Sequence, residues 1–370
     1  MVELSDDQRV SWLRLIRSEN VGPATFRSLI NHFGTAEAAL GALPTLARRG
    51  GSAKTISIPS VAEAEREIEQ TLAHGARIVA ISEARYPLYL RQIAAPPPLV
   101  TVRGGSQGLF DRPTAAIVGS RNASLAGHKM AERIGRGLGS AGFVVVSGLA
   151  RGIDGAAHRA ALETGTVAVI AGGIDHIYPE EHAPLMEEII SHGGAILTEM
   201  PFGWVPRAKD FPRRNRIVSG MSLGVVVVEA ATRSGTLHTA RYALDQGREV
   251  FAVPGSPLDP RAEGTNKLIR DGATLTRSAD DVIAVLRPML EDDAPLFPGL
   301  FEPSEDAISD TVSSQSRAAV IDALGPAPVA VDDIISHTGL PSAIVSVILL
   351  ELDLAGRVER HGSQLVSLIG

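Results

Sequence analysis

Cysteine is absent from all 370 residues, which removes disulfides, thiolate zinc sites, iron–sulfur clusters and cysteine nucleophiles together. Long apolar runs are missing too: none approaches the roughly 18 residues that a membrane span requires. The start, Met1-Val2-Glu3-Leu4-Ser5-Asp6-Asp7, lacks the basic and then apolar pattern of a signal peptide. A cytoplasmic protein with no membrane contact is expected. No glycine-lysine-serine/threonine P-loop occurs, so a nucleotide-driven motor is not indicated. Two familiar signatures fail on context. Gly137-Leu138-Gly139-Ser140-Ala141-Gly142 fits a dinucleotide pattern but precedes a strand instead of following one, and Gly220-Met221-Ser222-Leu223-Gly224 resembles a nucleophile elbow yet also leads into a strand. Asp154 and His158 stand four apart, but no further His or carboxylate at ligand spacing supports a metal, so an N-cap role and a packed histidine are expected. The sequence predicts no catalytic residue, no metal and no cofactor.

What is present is a soluble globular composition, 44 % hydrophobic and 21 % charged, in a chain too long for one ordinary core. The net charge of −7 is unevenly distributed. Residues 1–104 carry 12 basic and 10 acidic side chains, residues 105–287 carry 20 and 19, residues 288–316 carry none and 7, and residues 317–370 carry 3 and 6. The acidity therefore lies in one linker and one C-terminal module, while the middle of the chain is balanced and basic in patches.

Five segments follow from pattern. Residues 1–84 form a small helical domain, in which the turn at Val21-Gly22-Pro23 before a helix start could grip a phosphate as helix-hairpin-helix modules do. The same turn also fits an ordinary capped helix in a small bundle. Residues 85–112, with the triplet Pro96-Pro97-Pro98, make a rigid connection. Residues 113–287 alternate strands and helices, with strands expected at 115–119, 143–147, 167–171, 195–198, 225–229 and 249–253. Their continuous β-branched runs suit a parallel sheet covered on both faces. Residues 288–316 read as a flexible acidic linker. Residues 317–370 read as three helices and a hairpin, a winged helix. Its third helix, residues 341–354, has no Lys or Arg to reach phosphates, so it is expected to bind protein, or to pack on the rest of the chain, rather than to bind DNA. The fold class is α/β: a Rossmann-like doubly wound, mostly parallel sheet between a SAM/helix-hairpin-helix-like domain and a winged helix.

Candidate ligand groups gather after the strands, where open α/β sheets collect ligands. Gly119-Ser120-Arg121 and Ser147-Gly148 offer glycines for close backbone approach, amide donors and a guanidinium fork. Each could equally be a tight strand-to-helix turn. The segment from Arg207 to Arg216 holds five cations against one acid, with Phe211 among them to stack a base, and Pro206 and Pro212 suggest a loop.

These residues resemble the DprA/Smf family of bacterial DNA-processing proteins. The resemblance runs through Tyr86-Pro87, Val118 to Arg121, Ser147-Gly148 through His158, Tyr178-Pro179, Thr198-Glu199, Phe211 to Arg216, Val228-Glu229-Ala230, Ser234-Gly235-Thr236, Val253-Pro254-Gly255 and Gly264-Thr265-Asn266. It is dense over residues 86–275. It implies a single-stranded DNA-binding recombination mediator that protects incoming strands, loads the RecA recombinase during natural transformation, turns nothing over and forms a homodimer through the Rossmann-like domain. Carried over by position, the DNA contacts are Gly119, Ser120, Arg121, Gly148, Phe211, Arg214, Asn215, Arg216, Ser234, Gly235 and Thr236, with Lys209 added on charge and proximity. About five phosphate contacts would weaken binding about a hundredfold between 50 and 200 mM salt. The rival is a nucleotide enzyme of the lysine-decarboxylase-like phosphoribohydrolase type, whose signature glutamate is replaced here by Thr239.

Overall fold

The computed structural model describes residues 2–290, 312–361 and 364–369. Residues 291–311, most of the expected acidic linker, lie outside the described residues. No single described helix is long and apolar enough to cross a membrane.

The chain opens with α1 (Asp6–Arg17), α2 (Pro23–Phe33), α3 (Ala36–Arg49) and α4 (Val61–Ala73). Ser5 and Gln8 close a capping box on α1, and Thr35 caps α3, so amides that lack intrahelical partners are bonded by side chains. Then come β1 (Ala76–Ala80), β2 (Leu99–Gly104), β3 (Thr114–Val118), α5 (Leu125–Ser140), β4 (Val144–Ser147), α6 (Ile153–Ala160), β5 (Thr166–Val169), α7 (Ala183–Ser191) and β6 (Ala195–Thr198). The second half of the sheet region holds α8 (Asp210–Gly220), β7 (Gly224–Val227), α9 (Thr236–Asp245), β8 (Glu249–Ala252), α10 (Glu263–Arg270), β9 (Thr274–Leu275) and α11 (Ala279–Leu286). The C-terminal module is α12 (Ser314–Asp322), β10 (Val329–Ala330), α13 (Val331–Thr338), α14 (Ser342–Leu354), β11 (Val358–His361) and β12 (Leu365–Leu368).

All six strands expected from β-branched runs form within two residues of their sequence limits. They join three others in a nine-stranded sheet of order β1-β2-β6-β5-β4-β3-β7-β8-β9. Pairing is parallel from β6 across to β9 and antiparallel between β2 and β6. Residues 74–84, grouped above with the helical domain, instead supply β1 beside β2. One apolar cluster joins Ile117, Val145 and Val226 to α5, α6 and α11, and a second gathers Ala168 and Ile196 against α7. Full burial of each such Val or Ile stabilises the domain by about 1.5–3 kcal/mol. The chain winds outward from β3 through β4 and β5 to β6, then returns to β7 on the other side of β3. That reversal opens a crevice at the carboxyl ends of β3 and β7.

By its contacts the chain divides into two units. The first is the sheet and its helices. The second joins the N-terminal helices to the winged helix. Within it, Val320, Ile334, Val345, Ile348, Leu352, Val358 and Val366 make the winged-helix core. Val347, Leu350 and Leu354 are also buried, on an α14 that packs on α2 and α3. The expectation that a cation-free third helix packs on the rest of the chain is met here. The helical-hairpin turn is spent on the same contact: Asn20 Nδ2 donates to the Leu354 carbonyl at 3.1 Å and Thr25 Oγ1 to Asp353 Oδ2 at 2.6 Å.

Candidate nucleic-acid interface

The crevice is built from four loops, each entered from a strand of the parallel sheet. After β3, the Ser120 amide donates to the Glu229 carbonyl at 2.8 Å, which ties this loop to the one after β7. Thr236 Oγ1 reinforces the tie by donating to the Gly119 carbonyl at 3.0 Å. After β4, Gly152 takes φ 73°, and a Cβ there would overlap the Ser120 carbonyl, so only glycine lets the two loops approach this closely. Asn215 Nδ2 reaches the Gly235 carbonyl at 3.5 Å from α8. Gly119, Ser120, Gly148, Asn215, Ser234, Gly235 and Thr236 are therefore brought together around one crevice.

Phe211 lies on its rim, with the Arg121 guanidinium carbon 5.3 Å from its ring centroid and the Tyr178 ring 5.5 Å away at 67°. Phe211 is half-buried and Arg121 exposed. Of the segment read as a loop from its prolines, residues 206–209 do lie outside a helix, whereas Asp210 to Arg216 form the first turns of α8, because Pro212 at the start of a helix forgoes only an amide that has no intrahelical acceptor. Asp210 accepts from the Arg207 amide at 2.9 Å and from the Trp204 indole at 2.9 Å, which fixes the entry to α8.

The cations of that segment divide in a way charge counting missed. Arg214 is buried, and its guanidinium occupies the space a Cβ at Gly148 would take. Asp154 lies against the same position and accepts from the Gly148 and Ala150 amides at 3.1 and 3.3 Å. It shapes the β4 loop instead of capping its own helix, whose N-cap is Gly152. Burial raises the Asp154 carboxyl and lowers the Arg214 guanidinium from their ordinary ranges, while their mutual attraction opposes both shifts. Arg214 is thus an internal strut beneath Gly148, whereas the resemblance implied a DNA contact for it. Arg213 and Arg216 both donate to the buried Glu199, at 2.8 and 2.9 Å. Lys209 is exposed at the start of α8, as are Arg207, packed on Trp204 at 4.7 Å, and Arg233 beside Ser234. Arg233 went unnoticed because a lone arginine in a loop carries no sequence pattern. Glu199 and Tyr178 stood in quoted motifs without a role assigned.

Behind the crevice, His158 is fully buried and bonded through Nδ1 to Thr166 Oγ1 at 2.7 Å. The Thr166 hydroxyl donates to the Val145 carbonyl at 2.7 Å, so it accepts from His158, whose Nδ1 carries the proton. Burial, with His182, Arg214 and Arg159 nearby, lowers its pKa to about 3. The packed, neutral histidine expected from sequence is what the fold contains. No cluster of metal-binding side chains occurs among the described residues. Thr239, at the position of the hydrolase glutamate, is buried on α9.

A doubly wound sheet with close-packed glycine loops, an aromatic ring and exposed cations at its switch point is suited to an extended polyanion. The comparisons with known proteins narrow the class. Residues 77–287 match the family model of DNA recombination-mediator protein A, residues 6–69 that of the DprA-like N-terminal HHH domain and residues 302–364 that of the DprA winged helix domain. The chain belongs to the DprA/Smf family. The DNA processing protein DprA of Bacillus subtilis is 42 % identical over 231 residues, 62 % of this chain and 75 % of that one. The protein Smf of Synechocystis is 31 % identical over 97 % of this chain and 98 % of its own. Among solved structures, DprA of Streptococcus pneumoniae superposes with a TM-score of 0.60 at 34 % identity, over 76 % of this chain and 98 % of that one. DprA of Helicobacter pylori, described for its unique single-stranded DNA binding mode, superposes with a TM-score of 0.51 at 27 % identity, over 57 % and 96 %.

Proposed function

We propose that the chain is a single-stranded DNA-binding recombination mediator that protects incoming strands and loads the RecA recombinase during natural transformation. It acts in the cytoplasm, without turnover, as a homodimer through the Rossmann-like domain. The observation that carries the reading is the rim where the exposed Arg121 lies over the half-buried Phe211, with Lys209, Arg207 and Arg233 exposed: a base stacks on the aromatic-guanidinium pair while the cations hold phosphates. Arg216 is held back by Glu199, while Gly119, Ser120, Arg121, Lys209, Phe211, Asn215, Ser234, Gly235 and Thr236, joined by the exposed Arg207 and Arg233, contact the strand. Gly148 and Arg214 hold the β4 loop in place for it.

The test is fluorescence anisotropy of labelled oligo-dT and its duplex equivalent, with wild type and Arg121→Ala. Salt-sensitive, arginine-dependent preference for the single strand supports the reading. Absence of binding, or hydrolysis of adenosine monophosphate, refutes it. RecA loading is tested separately by the rate of RecA filament assembly on strands coated with single-strand-binding protein.

A further inference from the structure

The half-buried Phe211 has Arg121 over its ring and the Tyr178 ring at its side, yet a single-strand site also needs an open aromatic face. Tyr178 supplies it. In a chain with only 4 % aromatic residues, Tyr178 is 52 % exposed. It lies beside Phe211 in the loop after β5, on the side where open parallel sheets collect ligands.

The loop that presents Tyr178 follows β5 and is fastened along its length. The Gly173 amide donates to the Trp204 carbonyl at 2.9 Å, and Asp175 Oδ1 accepts from the Gly203 amide at 2.8 Å. On the far side His182 Nδ1 bonds the Leu149 carbonyl at 2.9 Å. The loop is thus held, and the Tyr178 ring rests edge-on against Phe211, before any ligand arrives, which lowers the entropic cost of stacking there.

We infer that Tyr178 is a second base-stacking residue, and that the strand crosses the sheet from the Ser234–Thr236 loop after β7, over Arg121 after β3, to Tyr178 after β5. This inference rests on the single-strand reading and adds its direction and a second base position. Three strand intervals of about 4.8 Å make the path about 14 Å long, room for more than one nucleotide.

The experiment measures full-length wild type, Tyr178→Ala, Tyr178→Phe and Phe211→Ala on a short oligo-dT, with photocross-linking of the same strand substituted with 5-iodouracil. Stacking contributes about 1–3 kcal/mol per base, so Tyr178→Ala weakens binding about 5- to 150-fold, whereas Tyr178→Phe, which keeps the ring, binds as wild type does. Cross-links form at both Tyr178 and Phe211. Binding within twofold of wild type for Tyr178→Ala, with no cross-link at Tyr178, overturns the assignment while sensitivity to Phe211→Ala leaves the crevice standing. Equal losses in Tyr178→Phe and Tyr178→Ala overturn stacking in favour of a hydroxyl contact. A wild type that binds no single strand overturns both readings.

Discussion

The sharpest consequence of the site geometry concerns salt. Seven cations stand near the crevice: Arg121, Arg207, Lys209, Arg213, Arg214 and Arg216, which the sequence reading included, and Arg233, which it did not. In the fold, Glu199 holds Arg213 and Arg216, and Arg214 is buried beside Asp154. Arg121, Arg207, Lys209 and Arg233 are exposed, and no ion pair engages them among the described residues. Each phosphate neutralised on a single strand adds about −0.7 to the slope of log K against log salt. Four contacts give about −2.8, or about 50-fold weaker binding between 50 and 200 mM salt. Seven would give about −5, nearly a thousandfold. The assay is an anisotropy titration of oligo-dT across that range, repeated with Arg233→Ala, which should flatten the slope by about 0.7, and with Arg213→Ala, which should leave it unchanged. A wild-type slope steeper than about −4, or an Arg213→Ala slope reduced as much as that of Arg233→Ala, refutes the partition into structural and outward cations.

Three further outcomes follow from packing. Gly148→Ala places a methyl group inside the Arg214 guanidinium, so thermal unfolding should show a loss of about 1–3 kcal/mol together with weaker single-strand binding. His158 protonates at about 3 when folded against an ordinary value of 6.5, so the unfolded chain takes up the proton first. Its stability contribution is complete above pH 6.5 and is lost as pH falls toward 3. About 2 kcal/mol should disappear between pH 6.5 and pH 5, and His158→Gln should flatten that part of the stability profile measured by denaturant unfolding. A Cβ at Gly50 would overlap the Glu351 carbonyl, so Gly50→Val should prise α14 from α3. Limited proteolysis should then cut the variant around the winged helix faster than the wild type.

How much of this protein its sequence could determine depends on the range of the interaction. The strands from Thr114 to Ala252 were legible because runs buried on both faces are written locally in β-branched residues. The helices of the winged module were legible from their periodicity, and α14, which lacks cations, packs on α2 and α3, one of the two roles its sequence allowed. The small and basic residues after each strand located the crevice, since parallel strands direct their carboxyl ends to one side. Local pattern gave no account of β1 and β2, which pair at the sheet's far edge, and it misread the start of α8, where proline is harmless. Above all, it could not distinguish among the arginines. Arg213, Arg214 and Arg216 look alike on paper, and only the fold supplies Glu199 and Asp154 as their counter-charges from other parts of the chain. Charge type is a property of the residue. Whether that charge faces a ligand or a buried carboxylate is decided by tertiary structure, because a Coulomb interaction depends on distance and burial, and neither is written in the order of residues.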